Sequence, residues 1–202
     1  MGSNYFYSLT MALCRGERGY FLGVKLALKL FVCTVILASG VALAKSPQVP
    51  RDPSVYFFNT TLGDYREELK TAREQGRQGI LLFFEMDECP FCHRMKTTVL
   101  NQPQVQNYFR EHFLIFPIDI EGDIEVIGFD GRVVIEKDFA FRQNRVRATP
   151  VFAFFDLTGN RIVRYTGATS GIVETLLLGK YVVDGIYKDM SFTRYKRSQR
   201  EQ

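Results

Sequence analysis

An α/β fold, with a central mixed sheet flanked by helices and a small β-hairpin insertion, is what the 202-residue sequence predicts. Three observations lead there. The apolar run Ile80-Leu81-Leu82-Phe83-Phe84 reads as a buried central strand. Helical patterns lie on either side of it, over residues 64–75 and 90–100. Two further apolar segments, residues 150–156 and 161–165, are joined by Thr158-Gly159-Asn160, a tight turn for antiparallel neighbours.

The elements follow in order. Residues 55–58 read as a short strand. Over 64–75, Tyr65, Leu69 and Ala72 share one helical face and Gly76 is a plausible stop. Residues 79–86 form the central strand, 90–100 a helix, and 104–111 extend it after Pro103. Residues 113–120 read as an apolar strand, parallel to the first if the crossover is helical. Asp130-Gly131 between apolar runs is a hairpin-turn signal, making 125–135 a two-stranded insertion. Residues 139–146 and 171–181 read as the remaining helices.

Composition supports a core of ordinary size: hydrophobic residues make up 46%, with 18 Phe and 10 Tyr. The net charge of +4 is unevenly placed, because residues 1–44 carry four Lys/Arg and one Glu. The remainder carries 22 Lys/Arg against 21 Asp/Glu and is close to neutral, so nothing points to nucleic acid as a partner.

Residues 25–44 have the pattern of a secretory signal peptide. Lys25 and Lys29 precede an apolar stretch over 30–43, and Ala42-Leu43-Ala44 gives an A-x-A cleavage site. The stretch falls short of the roughly 20 residues that span a bilayer. An uncleaved anchor facing the periplasm is the alternative. Residues 1–23 are long and aromatic for a leader and read as a start called too early. The expected organisation is a signal region over 1–44, a Pro-rich linker over 45–54, a domain over 55–187 and a basic tail over 188–202, the tail read as frayed, solvated chain. Cleavage after Ala44 removes Cys14 and Cys33. Cys89 and Cys92 alone remain, which is not the pattern of a disulfide-stapled scaffold.

Those two cysteines form Cys89-Pro90-Phe91-Cys92, just past a buried strand and at the start of a helix. The spacing lets the sulfurs meet within one helical turn. The first sulfur lies near unpaired N–H groups and the positive end of the helix dipole, which stabilise a thiolate, the form that attacks a disulfide.

With C-P-F-C in place, residues 60–183 resemble the thioredoxin superfamily. Arg147-Ala148-Thr149-Pro150-Val151 is similar to the family's cis-proline loop, and Tyr165-x-Gly167 to its closing strand and glycine. The resemblance implies a thioredoxin fold with Pro150 set against Cys89, where a proline without an N–H exposes neighbouring backbone to a substrate strand. It implies a thiol-disulfide oxidoreductase in which Cys89 attacks and Cys92 resolves, with Pro90, Phe91, Thr149 and Pro150 meeting substrate. Among subgroups, the sequence looks most like periplasmic SoxW-type thioredoxins. That implies disulfide-bearing client proteins and a membrane electron donor of the CcdA/DsbD type, and it requires no cofactor or metal.

Two departures and one rival stand beside this reading. Thioredoxins carry a buried Asp six residues before the first Cys, and Phe83 occupies that position here, leaving water, Glu85 or Glu88 to exchange protons with Cys92. The family's W-C-G-P-C signature is also absent, with Glu88 in place of the Trp; Glu88 opposes a thiolate at Cys89, while His93 or Arg94 favours it. The rival arises because Cys89, Cys92 and His93 also spell C-x-x-C-H, the attachment pattern of a c-type haem; Met95, Met190 or His112 would then be the distal ligand. The same dithiol chemistry run as a Dsb-type oxidant or isomerase is a further alternative.

Overall fold

The computed structural model describes residues 49–200. The expected signal region, over 1–44, lies outside them. The main sheet has the order β2-β1-β5-β6, formed by β1 (Gly79–Glu85), β2 (Phe113–Asp119), β5 (Val151–Asp156) and β6 (Arg161–Thr166). β1 runs parallel to β2 and antiparallel to β5, and β5 is antiparallel to β6. A separate antiparallel pair, β3 (Glu125–Ile127) and β4 (Val133–Ile135), is the expected hairpin. It turns through Gly131, whose φ of 81° suits a residue without a Cβ.

The unbroken apolar run of β1 has a simple cause: both of its faces are buried. Leu81 and Phe83 join one core with Phe152 and Phe154, while Ile80, Leu82 and Phe84 join a second with Val151, Ala153 and Phe155. The first core is covered by α3 (Pro90–Thr98), α4 (Pro103–His112), α6 (Ile172–Val183) and α7 (Phe192–Ser198). The second is covered by α2 (Tyr65–Glu74) through Tyr65, Leu69 and Ala72, together with Val126 and Phe139. α2 begins where Asp64 accepts hydrogen bonds from the N–H groups of Arg66 and Glu67 at 3.0 and 3.3 Å.

Four expectations are corrected. Residues 55–58 are not a strand: Pro53–Tyr56 form a helical turn, α1, because Asp52 caps it through Ser54 N–H and Pro53 takes the first position. α4 is a separate helix rather than an extension of α3. Buried Gln106 reaches back to accept the Arg51 guanidinium and to donate to the carbonyls of Leu100 and Arg51. The helix expected over 139–146 is a short α5 (Glu136–Asp138) running into a π-helical turn, Phe139–Gln143. Asn144 ends that turn by donating both its N–H and its side-chain amide to Phe139 carbonyl, each at 3.1 Å. Finally, the basic tail is not frayed over Phe192–Ser198. It is α7, with Ser191 at its N-cap, Tyr195 stacked on Tyr181, and Phe192 packed edge-on against Tyr165.

Candidate active site

β1 ends at Glu85, and Met86–Glu88 lead the chain to Cys89, the N-cap of α3. Pro90 takes the first helical position, where its missing N–H costs nothing. Cys89 Sγ accepts a hydrogen bond from the N–H of Cys92 at 3.1 Å, so the sulfur occupies the place of a capping oxygen at the positive end of the helix. The two cysteines form a disulfide across a Cα–Cα distance of 5.2 Å. Both are nearly enclosed, with Cys89 3% and Cys92 2% exposed. Around them Glu88, Pro90 and His93 are exposed, and Phe91 presents 60% of its surface.

The second half of the site comes from β5. Val151 pairs with Phe84 near the end of β1, so Pro150 and the cysteines lie at the same end of the sheet. The Thr149–Pro150 peptide bond is cis. Pro150 is buried and its carbonyl accepts from Gly167 N–H at 2.8 Å. Among the described residues no hydrogen bond engages the backbone of Arg147, Ala148 or Thr149. Thr149 Oγ1 is likewise buried without a partner. The structure thus sets the disulfide and its exposed flank at the same end of the sheet as a short backbone segment with free hydrogen-bonding capacity.

Six residues before Cys89 on β1, Phe83 is fully buried, with its ring 5.0 Å from Phe152 and 5.8 Å from Phe58. A carboxylate appears two residues later instead. Glu85 meets Lys96 Nζ at 2.5 Å, and Lys96 stands one turn beyond Cys92 on α3. Burial pushes the Glu85 carboxyl above the usual range; Lys96 counters this, and the charges of Asp119 and Asp87 add to it. Glu85, Lys96 and His93 line a cleft of about 720 Å³ beside α3. Glu88 has no ion-pair partner among the described residues.

Of the residues suggested as distal haem ligands, Met95 is fully buried under α3, where it accepts from Thr169 Oγ1 at 3.5 Å. His112 packs edge-on against Tyr108, and Met190 offers its carbonyl to Tyr181 OH at 2.7 Å. Among the described residues no cluster of His, Cys, Asp and Glu has the makings of a metal site.

Sequence reasoning missed the support on the other side of α3. Arg94 donates to Thr169 carbonyl at 3.2 Å. The neighbouring Ser170 donates its N–H to Glu174 at 3.0 Å and its hydroxyl to the same oxygen. Lys196 of α7 completes the carboxylate's shell at 2.7 Å. Only an i, i+4 Ser170–Glu174 pair at the head of α6 hinted at this.

A disulfide-bonded Cys-x-x-Cys pair at a helix N-terminus, on a four-stranded mixed sheet flanked by helices, defines a thioredoxin-like protein. The chain belongs to the thioredoxin-like domain family, whose model matches residues 65–177. A thioredoxin-fold protein from Helicobacter pylori is similar, at 21% identity over 62% of this chain and 86% of its own, with a TM-score of 0.54. A thioredoxin from Thermus thermophilus shows 25% identity over 59% of this chain and 84% of its own, with a TM-score of 0.47. A putative disulphide-isomerase from Bacteroides thetaiotaomicron shows 22% identity over 66% and 96%, with a TM-score of 0.49. No curated protein matches the chain.

Proposed function

We propose that the protein is a thiol-disulfide oxidoreductase that reduces protein disulfides in the periplasm. The observation that carries the chemistry is Cys89 Sγ at the head of α3, 3.1 Å from the N–H of Cys92. In the reduced protein Cys89 attacks one sulfur of a client disulfide as a thiolate. The client bond breaks, and its second sulfur leaves as a thiolate that takes up a proton. Cys92 then loses its proton and attacks Cys89 Sγ, releasing the other client thiol and forming the Cys89–Cys92 disulfide. Two electrons and two protons pass from protein to client. Pro90 and Phe91 offer the apolar contact, and the free backbone at Thr149, ahead of Pro150, pairs with the client strand.

Local charge supports this direction. Asp87 and Glu88 are exposed beside Cys89 and disfavour a further negative charge, while the Arg94 guanidinium is drawn to the Thr169 carbonyl. A thiolate with little net stabilisation leaves the disulfide a weak oxidant, since strong oxidants are those whose reduced form is stabilised. The signal-like pattern over 25–44 supports export, and the resemblance to SoxW-type thioredoxins supports recharging by a membrane donor of the CcdA/DsbD type.

The test is the reduction potential of the Cys89–Cys92 couple, equilibrated against glutathione and dithiothreitol. A value at or below about −220 mV supports a reductant, and one near −120 mV makes it an oxidant. A couple that never exchanges overturns the oxidoreductase reading. Cys92→Ser is expected to accumulate a mixed disulfide through Cys89, and Cys89→Ser to abolish exchange.

A further inference from the structure

Four arginines on the chain leading to Thr149 and along β6 have no carboxylate partner among the described residues. Arg145, Arg147, Arg161 and Arg164 form no ion pair among the described residues, whereas their neighbour Arg142 is held by Asp138 at 3.1 Å. A β-bulge brings two of them to one face. Phe154 pairs with Val163 and Phe155 with Arg161, so Ile162 is the extra residue. Skipping it sets Arg161 on the same face of β6 as Arg164, which lies opposite Ala153. Arg161 then donates to Asn144 carbonyl at 2.9 Å, tying β6 to the loop that carries the other two. Arg145 is exposed in a left-handed backbone conformation with φ of 53°, and Arg147 lies over the exposed ring of Phe141 at 5.2 Å. Burial, and then the like charges of Arg164 and Arg145, hold the Arg161 guanidinium below its ordinary pKa, as expected of cations gathered without counter-charge.

Arg147 directly precedes the unengaged backbone at Ala148 and Thr149, and from there the patch leads away along β6, an edge strand of the sheet, through Arg164 opposite Ala153 to Arg161 opposite Phe155. Across the site, Asp87 and Glu88 give the lip beside Cys89 the opposite sign. The opening is therefore polarised: basic on the side of the Thr149–Pro150 loop, acidic on the side of the Cys89 approach.

Building on the oxidoreductase reading, we propose that this surface recognises an acidic, extended segment of the client, lying next to its disulfide and seated along Arg147, Arg145 and Arg164. The client strand pairs with the backbone at Thr149, and its carboxylates meet the arginines beyond. The polarity fixes which way the client runs, because the reverse orientation would set those carboxylates against Asp87 and Glu88. Electrostatic recognition of this kind acts mainly on the rate of encounter and fades with salt.

The experiment uses the reduced, full-length protein and three quenched disulfide peptides that differ only in the residues flanking one cysteine: paired Glu, paired Ser or paired Lys. The acidic peptide is expected to be reduced about tenfold faster than the Lys peptide at low salt, and the gap to close by about 1 M salt. Arg147→Ser/Arg164→Ser should bring the Glu:Lys rate ratio to near one, and Arg147→Lys/Arg164→Lys should restore most of it. Equal rates for all three peptides overturn this inference while leaving the oxidoreductase reading standing. Failure to reduce even the Ser peptide removes the oxidoreductase reading and this one with it. Equal peptide rates together with salt-sensitive sedimentation on phosphatidylglycerol vesicles would assign the arginines to a lipid surface and overturn the proposal.

Discussion

Glu174 is the buried acid whose loss is expected to be felt furthest. Its carboxylate is 7% exposed and accepts from Ser170 N–H, Ser170 hydroxyl, Lys196 and, at 3.3 Å, Tyr165 OH. Burial alone would raise its pKa, but Lys196 and Ser170 outweigh it and bring the carboxyl from 4.5 down to about 2. A carboxyl depressed on folding stabilises the protein fully above its unfolded pKa and loses that contribution as pH falls through its folded one. The window here is pH 4.5 to 2. A shift of that size corresponds to about 3 kcal/mol at neutral pH.

Lys196→Met removes the formal cation and leaves the Ser170 donors. Lys196 is 28% exposed at its side chain, so the pair lies between the exposed case, worth about 0–1 kcal/mol, and the buried one, where removing a partner costs about 3–5 kcal/mol. The expected loss is about 2 kcal/mol at pH 7. Urea unfolding of wild type and variant, followed by far-UV circular dichroism from pH 7 to pH 2, reads it out. Other carboxylates are common to both proteins and cancel in the difference. That difference should be flat above pH 5 and shrink steadily below it. A difference that stays constant down to pH 2, or none at pH 7, would refute the reasoning.

Three more substitutions separate burial from charge. Glu136 is buried, accepts from Asp119 N–H at 3.1 Å and has no cation among the described residues; burial pushes its carboxyl up, and the charges of Asp119 and Glu85 add to this. Such a group loses stability as pH rises through its ionisation, so Glu136→Gln is expected to match or exceed wild type by about 1 kcal/mol at pH 7, and the gain should vanish below pH 4 in denaturant titrations. Phe83→Asp sets an unpaired carboxyl between Phe58 and Phe152 and should cost at least about 4 kcal/mol by the same measurement. At Gly179, where a Cβ would come within 2.7 Å of the Tyr108 ring and 3.0 Å of Phe109, Ala is expected to cost about 1–3 kcal/mol through overpacking, seen as a lower thermal midpoint.

What the sequence made legible was what is encoded over a few neighbouring residues. The run from Ile80 to Phe84 admits one reading because both faces of β1 are buried, so apolarity without alternation marks the centre of the sheet. Cys89-Pro90-Phe91-Cys92 and Thr149-Pro150 are likewise local, and the register of β5 on β1 brings them to one end of the sheet. Local signals failed where they competed. At 55–58 the run Val55-Tyr56-Phe57-Phe58 suggested a strand, while the Asp52 cap and Pro53 before it decided for a helical turn. In the tail, basic residues obscured the Phe192/Tyr195 spacing that buries one face of α7. The π-helical turn depends on Asn144 folding back onto Phe139, and the Glu174 shell on partners 4 and 22 residues away. No window of periodicity contains those contacts.

α3 is thus held from two sides by carboxylates that burial treats alike and their partners treat differently. On the β1 side Glu85 has one cation, Lys96 at 2.5 Å, against burial and the charges of Asp119 and Asp87, and its carboxyl stays above the usual range. On the other side Glu174 has four donors and lies far below it. Acidification from neutrality therefore reaches them in order. Glu85 takes up its proton first and releases Lys96, whose ammonium lies one turn beyond Cys92. Glu174 still holds Ser170 at that point, and with it the Thr169 carbonyl that receives Arg94. Of these two carboxylates, the one that falling pH reaches first makes an electrostatic change, a freed ammonium on α3, while the loop that braces the helix stays in place.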